Sequence, residues 1–269
     1  MKLSRLTAFS TSLLLGAVLA LTGAASAQAR ESVAAIDYVA LGDSYSSGVG
    51  SGSYDSASGD CKRTPKAYPA LWAASHSPAT FAFTACSGAR TGDVTASQLG
   101  PLSSATDLVS ITIGGNDAGF SDVMTTCVLQ PQATCLNRIA TARAYVDSTL
   151  PGNLDSVYTA IKAKAPSARV VVLGYPRFYK LNGSCLAGLS ETVRAAINGA
   201  SDYLNAATAK RAADHGFTFA DVAGAFTGHE ICTSSAWLHS LNVLNVGESY
   251  HPTAAGQTGG YLPVFTSAA

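Results

Sequence analysis

Short runs of β-branched and aromatic residues alternate along the chain with longer Ala-rich stretches, a rhythm that predicts repeated βαβ units and a parallel sheet. The strand candidates are Ile36–Leu41, Leu108–Ile113, Val170–Leu173 and Phe217–Phe219, with Phe81–Phe83 a shorter one. Helical spacing of apolar residues marks Tyr68–Ser75, Leu136–Thr149, Leu154–Ala165 and Ser190–His215, the last with Gly199 as the expected breakpoint. The Gly- and Ser-rich stretch Gly48–Gly59 reads as a loop, because strong secondary structure resumes on both sides of it. The pattern therefore predicts one α/β domain without repeats or a tail.

The polar residues fall at telling places in this pattern. Gly42-Asp43-Ser44, Cys86-Ser87-Gly88 and Gly114-Gly115-Asn116-Asp117 each follow the carboxyl end of a predicted strand, which in an open α/β sheet is the edge where ligands bind. Each has a plain alternative: Ser44 can cap a helix, and Gly-Gly-Asn-Asp can form an ordinary turn. Together with His251-Pro252 near the carboxyl terminus they supply a hydroxyl, oxyanion donors and a base, the parts that hydrolytic chemistry needs.

The amino terminus belongs to a different category. Lys2 and Arg5 precede an apolar stretch from Leu13 to Leu21 and then Ala25-Ser26-Ala27, which reads as a secretory signal with an A-x-A cleavage site. A transmembrane anchor asks for about 20 consecutive apolar residues, and this segment is shorter and broken by Gly16, Thr22 and Gly23. Residues 1–27 are thus expected to be removed, leaving the domain at 28–269, 242 residues with 15 basic and 17 acidic side chains. The product is expected outside the cell, without stable membrane insertion and as a monomer.

Composition narrows the function classes. With 47% hydrophobic and 13% charged residues the chain is globular, and a formal charge of zero with no Lys/Arg excess leaves no electrostatic footprint for nucleic acid. Six cysteines in an exported chain suggest three disulfides, and of the fifteen possible pairings the spacing favours neighbours: Cys61–Cys86, Cys127–Cys135 and Cys185–Cys232. There is no C-x-x-C pair and no Cys/His cluster at zinc spacing, so the cysteines read as staples and not as a metal site or a nucleophile.

Residues 41–48 (Leu-Gly-Asp-Ser-Tyr-Ser-Ser-Gly), Gly88, Ile113-Gly-Gly-Asn-Asp117 and His251-Pro-Thr-Ala-Ala-Gly256 resemble, in order, the conserved blocks of the SGNH or GDSL hydrolase family. The six cysteines and the stretch from Phe226 through Cys232 to Trp237 make the chain more similar to that family's secreted actinobacterial lipases, phospholipases and esterases. The resemblance implies a flavodoxin-like three-layer α/β/α fold with a mostly parallel sheet, a serine ester hydrolase without cofactor, and a shallow active site at the carboxyl edge of the sheet. The G-x-S-x-G nucleophile elbow is absent, which disfavours the rival α/β-hydrolase geometry.

Carried over residue by residue, the resemblance makes Ser44 the nucleophile and places the backbone N–H groups of Ser44 and Gly88 and the side-chain amide of Asn116 in an oxyanion hole. A glycine at 88 lets an ester approach the backbone closely, and Asn116 stays neutral at every working pH. Of the histidines at 76, 215, 229, 239 and 251, only His251 has the His-Pro-x-x-x-Gly context of the base. The family's usual Asp three residues before that His is here Glu248, so support for the ring falls either to Glu248 or to the backbone carbonyl of Ser249.

Asp43 and Asp117 are expected to cap backbone N–H groups, and His229 and Trp237 to form a buried hydrogen-bonded core pair. Leu241, Val243, Leu244 and Val246 read equally as an acyl groove or as core. The expected substrate is an acyl ester of a lipid, cleaved in the manner of a phospholipase A1 or lipase. A carbohydrate or aromatic-ester esterase, and an inactive binding module on the same fold, are the alternatives.

Overall fold

The computed structural model describes residues 36–183, 185 and 188–269; the proposed leader lies outside the described residues. Five strands, β1 (Asp37–Gly42), β2 (Thr80–Phe83), β3 (Leu108–Thr112), β4 (Arg169–Leu173) and β5 (Thr218–Ala220), form one sheet in the order β2-β1-β3-β4-β5, parallel throughout. The helices in chain order are α1 (Ser44–Ser47), α2 (Tyr68–His76), α3 (Thr91–Asp93), α4 (Phe120–Leu129), α5 (Gln132–Ser148), α6 (Leu150–Lys164), α7 (Glu191–Asp214) and α8 (Leu262–Ala268). The β1 and β3 segments are buried from Tyr38 to Leu41 and from Leu108 to Thr112, as strands covered on both faces must be.

The two covering layers are built differently. On one side α2 and α8 pack together around an aromatic cluster in which Tyr38, Tyr68, Trp72, Tyr261 and Phe265 meet edge to face and stacked. On the other side α5 packs against α4, α6 and α7, largely through aliphatic side chains such as Ile139, Leu154, Ile161 and Leu204. This is the three-layer α/β/α arrangement.

All four predicted helices and all five predicted strands are present, with ends shifted by a few residues. The expected break at Gly199 does not occur, and α7 runs unbroken for 24 residues. A glycine within a helix costs about 1 kcal/mol, and the buried stripe of Val193, Ile197, Leu204 and Ala212 outweighs it. The helical segments not predicted include residues 91–98, α4, and the stretch from the π-type turn at Gly256–Tyr261 into α8.

The three pairings Cys61–Cys86, Cys127–Cys135 and Cys185–Cys232 are those the spacing favoured. Cys61–Cys86 ties the loop after α1 to the turn after β2, and Cys127–Cys135 ties α4 to α5. No helix among the described residues is long and apolar enough to cross a membrane.

Candidate active site

The turn that ends β1 is held by side chains from three neighbouring elements. Gly42 has φ +124, and a Cβ there would lie 2.6 Å from the Thr112 carbonyl oxygen, so only glycine lets β1 end this close to β3. Gln98 grips the same residue from both sides, accepting from the Gly42 N–H at 2.7 Å and donating to its carbonyl at 2.9 Å. Asp43 then caps α1 by accepting the Tyr45 N–H at 3.0 Å, and Ser44 follows as the first helical residue, 6% exposed.

Asp43 does more than cap. Its carboxylate is fully buried and also accepts from the Thr112 hydroxyl at 2.6 Å and from the Tyr175 hydroxyl at 2.5 Å. Burial pushes its pKa up to about 6, although these three donors pull it down. Tyr175 is itself fixed: its hydroxyl accepts the Gly115 N–H, and both its backbone groups bond the side chain of Asn205 on α7. Asn198, two turns earlier on α7, holds the backbone of Phe178 and Tyr179 in the same way. Sequence reasoning missed Tyr175, yet Gly174-Tyr175-Pro176 follows the end of β4 as the other motifs follow their strands.

The opposite partner comes from a long segment with little regular structure. His251 Nε2 lies 2.8 Å from Ser44 Oγ, and its Nδ1 lies 3.0 Å from the Ser249 carbonyl oxygen. A carbonyl can only accept, so Nδ1 carries the proton and Nε2 presents a lone pair to the serine hydroxyl. The ring rests beside Tyr45 at 5.2 Å and Phe120 at 6.3 Å between centroids. Desolvation pulls its pKa down to about 4, and the neighbouring His239 and Lys62 push the same way.

Glu248 turns elsewhere. Its carboxylate accepts the Tyr54 hydroxyl at 2.7 Å, and that hydroxyl in turn accepts the Gly50 N–H. His239 donates from Nε2 to the Gly50 carbonyl at 2.7 Å, so Glu248, Tyr54 and His239 together fasten the His251 loop to the loop after α1. Tyr250, just before His251, has a left-handed backbone (φ 67), and its carbonyl accepts the Tyr45 hydroxyl at 2.8 Å. Such a conformation costs about 1–3 kcal/mol and persists only where surroundings enforce it.

The oxyanion candidates occupy the same sheet edge. The Cys86 N–H donates to the Gly42 carbonyl, which sets the turn carrying Gly88 against the turn carrying Ser44. The Asn116 amide donates one hydrogen to the Ala89 carbonyl at 3.0 Å, leaving its second free, and Asn116 and Ser44 line one cavity. Among the described residues the N–H groups of Ser44 and Gly88 have no protein acceptor. Gly88 has φ +79 and open space where a Cβ would stand, so backbone conformation, more than crowding, requires the glycine.

Two apolar spaces meet at Ser44 and His251. An inner cavity of about 70 Å³ runs from Ser44 and Asn116 between Phe120, Met124, Val146 and Leu204. An outer groove of about 350 Å³ runs from His251 past Phe120 and Met124 to Leu129, Leu241, Val243 and Val246. The last three are therefore groove wall, not core, and Leu244 beside them is 95% exposed.

The remaining candidates lie apart. Asp117 accepts from the Thr91 N–H and hydroxyl, the capping role expected of it. His229 and Trp237 are hydrogen-bonded, the Trp237 backbone N–H donating to the His229 carbonyl at 2.8 Å, but they are not the expected buried core pair. They are half-buried and stacked flat with centroids 3.5 Å apart, and His229 Nδ1 is satisfied by the Ser235 carbonyl, because a face-to-face pair leaves no ring N–H pointing at its partner. His76 stacks on Trp72, and His215 pairs with Asp155.

Comparison with known proteins gives consistent matches. Residues 40–258 match the model of the GDSL-like lipase/acylhydrolase family. The chain is 71% identical to Lipase 1 of Streptomyces coelicolor over 269 residues, with both chains fully covered. Among solved structures it is similar to phospholipase A1 from Streptomyces albidoflavus NA297 (70% identity, TM-score 0.86) and to the extracellular lipase from Streptomyces rimosus (69%, TM-score 0.86). These matches cover 88% and 87% of this chain and all of each of those.

Proposed function

The chain belongs to the GDSL-like lipase/acylhydrolase family, and we propose that it is a secreted serine carboxylic ester hydrolase that cleaves acyl esters of lipids in the manner of a phospholipase A1 or lipase. The observation that carries this reading is the 2.8 Å contact between Ser44 Oγ and His251 Nε2 at the mouth of an apolar cavity. Three disulfides and the leader at residues 1–27 support export.

In this reading His251 takes the Ser44 proton as Oγ attacks the ester carbonyl, giving a tetrahedral intermediate and an imidazolium. The negative oxygen is met by the N–H groups of Ser44 and Gly88 and the free amide hydrogen of Asn116, which bind it more tightly than the ground-state carbonyl. The imidazolium returns its proton to the leaving alcohol as the C–O bond breaks, leaving an acyl-Ser44. Water, deprotonated by the same ring, then attacks the acyl carbonyl, and the imidazolium returns that proton to Ser44 Oγ as the acyl–Oγ bond breaks, releasing the carboxylic acid and the free serine. The Ser249 carbonyl holds the ring in the productive tautomer and accepts from the charged form. The inner cavity takes the scissile acyl chain.

A panel of p-nitrophenyl esters from two to sixteen acyl carbons, together with a phosphatidylcholine, tests the proposal. Turnover is expected on the longer acyl esters and on the phospholipid, and is expected to vanish with Ser44→Ala. An enzyme inert toward every ester would overturn it.

A further inference from the structure

Six large apolar side chains stand exposed among the described residues, and five of them gather at one place. Leu129, the last residue of α4, is 70% exposed, and the loop before His251 carries Leu241, Val243, Leu244 and Val246 at 41, 75, 95 and 66%. The sixth, Phe81, belongs to β2 and is stacked on Tyr38. Four of the five form the outer wall of the groove whose inner end is His251.

The loop is ordered by its own hydrogen bonds. Asn242 Oδ1 accepts the N–H groups of Leu244 and Asn245, Ser249 Oγ accepts that of Asn242, and the Asn245 carbonyl accepts that of Glu248. The N–H groups of Asn242, Leu244, Asn245 and Glu248 are thus satisfied within the protein, which lowers the cost of moving this part of the loop into a less polar medium. The one acidic side chain in the loop, Glu248, is turned inward to Tyr54, and Lys62 stands beside Gly247. The exposed tip therefore presents apolar side chains unaccompanied by an outward carboxylate.

We propose that this rim is a docking surface for a lipid aggregate, seating Val243, Leu244, Val246 and Leu129 among acyl chains so that an ester passes along the groove to Ser44. The proposal rests on the ester-hydrolase reading and adds the physical form in which the substrate is met. Continuity with the groove selects this occupant, since what docks here delivers its ester to His251. Five side chains expose only on the order of a few hundred Å² on each copy, whereas each partner in a stable protein interface buries about 600–1,000 Å². That argues against a second copy of the chain.

Leu244 supplies the test, because it is the most exposed of the five and lies outside both apolar spaces. Binding to phosphatidylcholine vesicles is measured by co-sedimentation in a Ser44→Ala background, and turnover of dissolved p-nitrophenyl acetate in the active enzyme. Leu244→Asp is expected to weaken vesicle binding at least tenfold while p-nitrophenyl acetate turnover stays within twofold. Unchanged vesicle binding, no vesicle binding by the parent, or an equal loss on the dissolved ester would overturn the proposal. So would sedimentation velocity showing a dimer that Leu244→Asp splits, because a second copy would then cover the rim. An active parent that ignores vesicles refutes only the docking surface, whereas a parent that binds vesicles but turns over no ester refutes the hydrolase reading.

Discussion

Ser44 and His251 meet across 2.8 Å from two regions that position their residues by different means. The serine stands at the end of β1, where Gln98, Thr112, Tyr175 and the buried Asp43 carboxylate fix the turn from within the core. The histidine stands on a loop held mainly through backbone groups: the Ser249 carbonyl on Nδ1, Tyr45 on the Tyr250 carbonyl, His239 on the Gly50 carbonyl. A serine on a strand end inherits the rigidity of the sheet, whereas a histidine on a loop needs local ties.

The largest effects are expected where the two regions touch. Ser44→Ala and His251→Ala should each cut kcat by about 10⁴ or more, and the double variant should be scarcely worse than either, because the two act as one unit. Additive losses in steady-state kinetics would mean that the contact is not the reacting pair. Asn116→Ala, on the sheet-edge side, should lower kcat by roughly 10²–10³ with KM little changed. A change confined to KM would reduce Asn116 to a substrate contact.

On the sheet-edge side the strand-end motifs were legible in the sequence and Tyr175 was not; on the loop side His251 was legible, but the choice between Glu248 and the Ser249 carbonyl was not. Gly42-Asp43-Ser44 and Gly114-Gly115-Asn116-Asp117 announce themselves because a β-branched run precedes each, and strand ends are where such turns must fall. Nothing local says where the Glu248 side chain points, and the tie to Tyr54 joins residues 194 positions apart. The same limit hid α4 and the end of the chain. Thr125 and Thr126 are indifferent helix formers, and Gly259, Gly260 and Pro263 argue against a helix. There the disulfide from Cys127 and the burial of Tyr261 and Phe265 decide the outcome. His229 and Trp237 misled because a pair of amphipathic rings near a cysteine suits a core as well as a half-buried stack.

Smaller effects separate the two supports. With the His251 pKa drawn down toward 4, the acid limb of kcat/KM should lie below the ordinary imidazole value of 6.5, and neutral pH should fall on the plateau. The linkage has a definite sign. Between pH 6.5 and about 4 the unfolded chain takes up a proton at this position that the folded chain does not, so His251 withdraws stability as the pH falls. His251→Ala should therefore flatten the loss of Tm across that window, and an unchanged Tm profile would count against a desolvated ring. On the sheet-edge side, Tyr175→Phe leaves the Asp43 carboxylate one donor short and the Gly115 N–H without its acceptor. It should lower stability by about 1–3 kcal/mol in urea unfolding, with a lesser effect on turnover.

The central claim is that a backbone carbonyl, and not Glu248, supports the base. Organophosphonate labelling followed in time by intact mass, with the adduct mapped to its peptide, tests it most directly. Labelling is expected on Ser44 alone, with a Glu248→Gln rate within about tenfold of the parent and almost no labelling in His251→Ala. A Glu248→Gln enzyme as unreactive as His251→Ala, or an adduct on any residue other than Ser44, would contradict it.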